Sequence, residues 1–82
     1  MRLIRIDKFL KSSRIIRRRT VAKEACTQER VSINGKLAKP SDRVEVGDLV
    51  EVTFGSGTMK VEVLELKDTT KKKDAENMYK VL

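Results

Sequence analysis

The apolar residues of this chain change period near residue 30, and that change decides what it can fold into. Before it, they recur at helical spacing. Ile6, Phe9, Leu10 and Ser13 stand at i, i+3, i+4 and i+7, one face of a helix predicted over about residues 6–13. Asp7 lies near its start, where a carboxylate suits the positive helix end. Val21 with Ala25, and Ala22 with Cys26, make two i,i+4 pairs on one face of a second helix. Those side chains are small enough for the first helix to approach closely. After residue 30 the period is two. Val31 and Ile33 alternate with Ser32, and Asn34-Gly35 is a tight-turn signal. Pro40 with Ser41-Asp42 marks a loop, and Gly47-Asp48 a further turn. Val50, Val52 and Phe54 alternate with Glu51 and Thr53. "GSGT" at 55–58 turns the chain, and Met59, Val61 and Val63 alternate again, with Leu64 and Leu66 following a bulge. The expected fold is therefore α+β, with two N-terminal helices packed on a small, bent antiparallel sheet. One small domain covers residues 1–67, and a polar tail covers 68–82. In that tail Ala75, Met78 and Tyr79 are expected to line a short helix, and the lysines at 71–73 to be a solvated flank.

Charge follows the same division. Residues 1–30 hold ten basic and three acidic side chains, a net +7, which is the formal net charge of all 82 residues. Residues 31–82 balance. Within "SRIIRRRT", residues 13–20, Arg14, Arg17, Arg18 and Arg19 crowd six positions. A chain this short has one modest core and cannot bury four guanidinium groups. Ile15 and Ile16 are expected to turn inward and pin the helix connection while the arginines flare outward. Segregated charge of this kind suits a polyanion.

The residue inventory argues for binding and against catalysis. There is no histidine, and the single cysteine, Cys26, makes neither a disulfide nor a zinc site. It is expected to be a small packed hydrophobe rather than a nucleophile. No phosphate loop, dinucleotide fingerprint or nucleophile elbow is present, and the carboxylates alternate with apolar strand positions. No catalytic residue, metal or cofactor is expected. No apolar run reaches a membrane span and the N-terminus is charged from Arg2, so the expected compartment is the cytoplasm. A membrane surface is a poor partner, because the second helix offers only small apolar residues. Stacking on single strands is equally poorly served. Phe9, Phe54 and Tyr79 are the aromatics, and the first two sit in apolar patterns. Duplex DNA is the rival, read by a helix-turn-helix in a regulatory protein. Lys23, Glu24, Thr27 and Gln28, however, make a weak base-reading set. Helical arginines suit the phosphates of folded RNA, which their planar forks can grip through two hydrogen bonds.

"RIDKFLKSSR", "RRTVAKEACTQERVSINGK" and "AKPSDRVEVGDLVEV" together resemble the S-four RNA-binding domain, or alpha-L motif, over roughly residues 5–52. The ordered pieces are Arg-Ile-Asp-Lys-Phe-Leu, Arg-x-x-Ala, Val-x-Ile-Asn-Gly-Lys and Val-x-x-Gly-Asp. The resemblance implies two helices on a small bent sheet, with RNA along the basic helical face. "LKDTTKKKDAENMY" is similar to the tail of the stand-alone ribosome quality-control branch of that family. That likeness implies a monomer that binds large ribosomal subunits carrying peptidyl-tRNA and contacts ribosomal RNA and tRNA. It would help a partner factor add an alanine tail without catalysing the addition. The heat-shock branch, a large-subunit rescue or recycling role, is the alternative.

Arg5 and Arg19 match the family's arginines that open the two helices, which makes them the first implied RNA contacts. Lys8, Lys11, Arg14, Arg17, Arg18 and Lys23 extend the patch, and Lys36 reaches a phosphate from the hairpin edge. The competing role for these cations is a structural ion pair with Asp7 or Glu24. Asp7 is expected first as a helix-end residue and second as a group that orients Arg5. Asn34 and Gly35 are assigned to turn chemistry, and Val31, Ile33, Val50 and Val52 to the core. Two positions depart from the family pattern. Arg18 stands where a Ser or Thr N-cap is common, which moves capping to Thr20. Glu29 stands where Gly is usual, at a cost of about 1 kcal/mol if its backbone is left-handed.

Overall fold

The computed structural model of the chain describes residues 3–66 and 77–82. The lysine run at 71–73 and Ala75 lie outside the described residues. Ile4–Arg5 (β1) leads into helix α1, Ile6–Ser12, and helix α2 follows at Arg19–Thr27. The strands after them are Val31–Ile33 (β2), Lys36–Leu37 (β3), Arg43–Val44 (β4), Leu49–Phe54 (β5), Gly57–Val63 (β6) and Tyr79–Val81 (β7). Five of these form one antiparallel sheet in the order β3-β2-β5-β6-β7, and β1 pairs with β4 as a separate two-stranded ribbon.

The register turns the alternating sequence into a core. Val31 lies opposite Val52, Ile33 opposite Val50, and Val50 opposite Val61. All but Ile33, which is partly buried, are buried. The intervening Glu51 and Lys60 face each other on the other side, 3.6 Å apart and largely exposed. α1 adds Ile6, Phe9 and Leu10 to the core, and α2 adds Ala22 and Cys26 as it packs against α1. The contact face of α2 is narrower than the paired spacing predicts, because Val21 is 45% exposed. Phe54 also departs from its alternation. It ends β5 opposite Gly57 and is 40% exposed.

Turn chemistry explains the rest of the frame. Asn34 (φ 52°) and Gly35 (φ 83°) both have positive φ, as a two-residue hairpin turn matched to strand twist requires. Asn34 does more than turn the chain. Its Oδ1 accepts the Leu49 N–H at 2.9 Å and its Nδ2 donates to Asp48 Oδ1 at 3.1 Å, which ties the hairpin to the start of β5. Both helices end on a left-handed residue that is not glycine: Arg14 (φ 62°) after α1 and Glu29 (φ 61°) after α2. At α2 the Glu29 N–H donates to Cys26 O and the Arg30 N–H to Ala25 O, the paired bonds that close a helix C-terminus. The left-handed backbone at Glu29 carries the cost expected of a residue with a Cβ. At the other end of α2, Arg18 is the N-cap without a side-chain cap bond and Thr20 lies inside the helix, so capping does not move to Thr20.

The predicted helix around Met78 and Tyr79 is corrected by the structure. Met78 is fully buried in the core, and Tyr79–Val81 is a strand paired with β6. The N–H groups of Leu64 and Glu65 both donate to Met78 O, and the Leu82 N–H donates to Lys60 O. An open β6 edge would leave a row of backbone groups without partners, and β7 supplies them. β6 itself stops at Val63. Leu64 is exposed and Leu66 is buried, both outside the strand.

Candidate nucleic-acid interface

The site is organised by one buried carboxylate. Asp7 sits in the first turn of α1 and is 1% exposed. Its Oδ1 accepts from Arg5 Nε at 3.2 Å and its Oδ2 from Arg5 Nη2 at 3.0 Å. Arg19 Nε, from the first residue of α2, lies 3.7 Å from the same Oδ2. The two arginines come from different elements, yet 43% and 48% of their side-chain surfaces stay exposed. Asp7 is therefore a helix-end residue and an orienting group at once, which is more than the helix-end role expected first. A buried carboxylate is costly unless its lone pairs are satisfied, and a two-point guanidinium bond is the arrangement that does so. Each guanidinium carries five N–H donors, so part of each fork remains directed at solvent.

The connection between the helices behaves as its sequence suggests. Ile16 is buried and Ile15 packs partly against the core, while Arg14, Arg17, Arg18 and Arg19 are exposed around them. Arg14 occupies the left-handed position that closes α1, its N–H donating to Lys11 O. Lys11 and Lys23 are exposed and Lys8 is half-buried. Among the described residues, Arg14, Arg17, Arg18, Lys11 and Lys23 make no ion pair, and Glu24 takes none of them as a partner. Lys36 lies apart on the edge strand β3. It shares the helix-covered face of the sheet with Ile33, and among the described residues no bond joins it to the Asp7 cluster.

The register also exposes a cation that sequence reasoning did not single out. Arg43 lies directly opposite Arg5 in the β1–β4 ribbon. β4 is too short to show an alternating pattern, and only the pairing with β1 brings Arg43 to the site.

The remaining chemistry is inert. Cys26 is buried in the core, and burial pushes its thiol up to about 11, with the Asp7 and Asp42 carboxylates adding to the rise. It is a neutral packing group at physiological pH, not a nucleophile. The outer face of α2 forms a shallow groove lined by Thr20, Lys23, Glu24, Thr27 and Gln28. Thr27 donates its hydroxyl to Lys23 O within the helix, which weakens that face further as a reader of bases. Among the described residues, no cluster of carboxylates and cysteine could hold a metal, and no helix is long and apolar enough to cross a membrane.

Comparison with known proteins gives the arrangement a lineage. The S4 domain family matches residues 4–50, the span from β1 into β5 that carries Asp7 and its arginines. A protein of Bacillus subtilis named RQC P-site tRNA stabilizing factor is 57% identical over 79 residues, 96% of this chain and 92% of its own. The protein of the same name from Streptococcus pneumoniae is 53% identical over 79 residues, covering 96% of this chain and 90% of its own. Among solved structures, the trimeric heat shock protein 15 of Vibrio cholerae superposes with a TM-score of 0.91 at 26% identity. The match covers 99% of this chain and 83% of that one. With the family's match spanning more than half of the sequence and the paired helices on a small bent sheet in place, the chain belongs to the S4 domain family.

Proposed function

We propose that the protein is a non-catalytic RNA-binding factor of ribosome quality control. It binds large ribosomal subunits that still carry peptidyl-tRNA and touches the backbones of ribosomal RNA and tRNA. It supports a partner factor that adds an alanine tail to the stalled chain. The observation that carries this reading is the Asp7 cluster, in which guanidinium groups from β1 and α2, the first held by two hydrogen bonds and the second ion-paired at 3.7 Å, converge on one buried carboxylate and stay half-exposed. Fixed forks lose less freedom on gripping a phosphate than mobile ones. The surrounding arginines, which form no ion pair among the described residues, supply the long-range attraction. The close relatives' name, RQC P-site tRNA stabilizing factor, favours the quality-control branch over the heat-shock branch. On this reading the protein acts as a monomer in the cytoplasm.

Sedimentation of a lysate through a sucrose gradient tests it. The protein is expected to travel with the large subunit and to leave that fraction when peptidyl-tRNA is released. Co-migration that ignores peptidyl-tRNA would favour a general large-subunit role. Migration with DNA or at the top of the gradient would overturn the reading.

A further inference from the structure

We infer that Arg43, together with Arg5, forms an additional phosphate-binding subsite for RNA on the β1–β4 ribbon. The inference rests on the RNA-binding reading above and extends its surface from the helices onto a strand.

The ribbon has two faces. Ile4 and Val44 lie opposite each other and are buried, so by strand alternation Arg5 and Arg43 lie opposite each other on the outward face. Directly opposed residues place their Cβ atoms roughly 4.5–5.5 Å apart, and like charges there destabilise the pairing. Folding alone gives no reason for this juxtaposition. Asp7 compensates Arg5, but it also faces Arg19, so one carboxylate already serves two guanidinium groups before the Arg43 opposite Arg5 is counted. The other nearby carboxylates do not complete the balance. Asp42 accepts the Lys39 N–H at 2.8 Å, and among the described residues neither Asp42 nor Glu45 forms an ion pair with the exposed Arg43. The backbone holds the ribbon firmly against α1, because the Ile6 N–H donates to Asp42 O at 2.7 Å. Two arginines set side by side by the strand register, with excess positive charge, are matched by an anion that can take hydrogen bonds from both. A phosphodiester has two non-bridging oxygens for that purpose. Arg43, Arg5 and Arg19 would then follow a nucleic-acid backbone from β4 across β1 to the start of α2.

The test is Arg43→Gln, which keeps the side-chain stem and removes the charge, measured beside Arg19→Ala and Lys60→Gln. The probe is a fluorescent ribosomal RNA hairpin, titrated by anisotropy at several salt concentrations, with a thermal melt of each variant. Arg43→Gln is expected to weaken binding about tenfold, as loss of one charge-assisted contact does. The salt slope should become shallower by about 0.7–0.9. Its melting temperature should hold or rise, because an opposed like charge has been removed. Lys60→Gln, on the far face of the sheet, should bind like the parent. If Arg43→Gln binds like the parent while Arg19→Ala loses affinity, the subsite is wrong and the RNA reading stands. If both bind like the parent, both fall. Weaker binding of Arg43→Gln accompanied by a lower melting temperature would make Arg43 a structural residue and overturn the subsite.

Discussion

The first thirty residues and the sheet that follows handle charge in opposite ways. On the sheet, Glu51 and Lys60 stand opposite each other across two strands, and the acidic and basic residues of 31–82 balance. In the helical third, one buried carboxylate serves two arginines, and Arg14, Arg17 and Arg18 have no counter-ion among the described residues. An exposed pair such as Glu51–Lys60 contributes little to stability but keeps a surface soluble and neutral. Cations gathered without partners repel one another in the folded state. The difference teaches that the sheet and helix cores supply stability, while the charge of the first third is available to a ligand. Variants of the two regions should therefore separate folding from binding.

The largest effect is expected in the shared core. Phe9 is fully buried in the core, so Phe9→Ala should cost about 3–5 kcal/mol. A small domain has little more than that to lose. The variant should show no cooperative thermal transition and no RNA binding. If it stayed folded and bound normally, the core would not be what positions the arginines.

Asp7→Asn sharpens the comparison because charge and geometry predict opposite signs. The substitution makes the protein more positive by one charge. If net charge alone drove binding, affinity would rise. If Asp7 fixes Arg5 and Arg19, affinity should fall about tenfold, the scale of one lost charge-assisted bond. Both arginines are more than a third exposed, so the loss of stability should be far smaller than for Phe9→Ala. Affinity and thermal melts, measured together, distinguish the two accounts.

The helix ends offer a smaller and cleaner contrast. Glu29 and Arg14 both hold left-handed backbone that glycine would adopt without strain. Glu29→Gly and Arg14→Gly should each relieve about 1 kcal/mol of that strain, offset in part by the greater flexibility of the unfolded chain. Only Arg14→Gly should also weaken RNA binding. Equal binding by the two variants would remove Arg14 from the interface.

The smallest effect concerns Cys26. Its thiol is raised to about 11 by burial in the folded state, above the ordinary cysteine value near 9. The folded protein therefore keeps a proton that the unfolded chain releases, and this contribution to stability is complete below about pH 9. It is lost progressively as pH rises from about 9 to 11. Melts across that range should fall more steeply for the parent than for Cys26→Ala, and iodoacetamide should leave Cys26 unmodified until the protein unfolds.

Much of this was legible in the sequence, for reasons that also explain what was not. The first helix, the Asn34-Gly35 hairpin and the alternating strands around Val50 and Val61 were readable because each carries its own local period or turn signal. Arg5 and Arg19 were identified through family motifs, and the exposure of the "RIIRRR" arginines through sheer crowding of charge. Met78 and Tyr79 are ambiguous in sequence, because a short apolar group at the end of a polar segment fits a helix or a strand equally well. Only the open edge of β6 decides between them. Alternation points Phe54 inward, but it cannot show that burial stops before the last residue of the strand. For Asp7 the sequence offers a helix-end role first and an orienting role toward Arg5 second, and it is the partner Arg19, from another element, that local pattern does not show. Arg43 carries no local signal, because its significance lies in a register with Arg5, thirty-eight positions away.

The central claim is that this surface binds RNA through phosphates, with Arg19 among the gripping groups. Its most direct test is the salt dependence of affinity for duplex-like ribosomal RNA, compared between the parent and Arg19→Ala. If about five phosphates are neutralised, the parent's log–log slope should be on the order of −4. Arg19→Ala should bind about 1.5–3 kcal/mol more weakly and have a slope shallower by about 0.7–0.9, at an almost unchanged melting temperature. A parent slope near zero, or an Arg19→Ala variant with the parent's affinity and slope, would contradict the account.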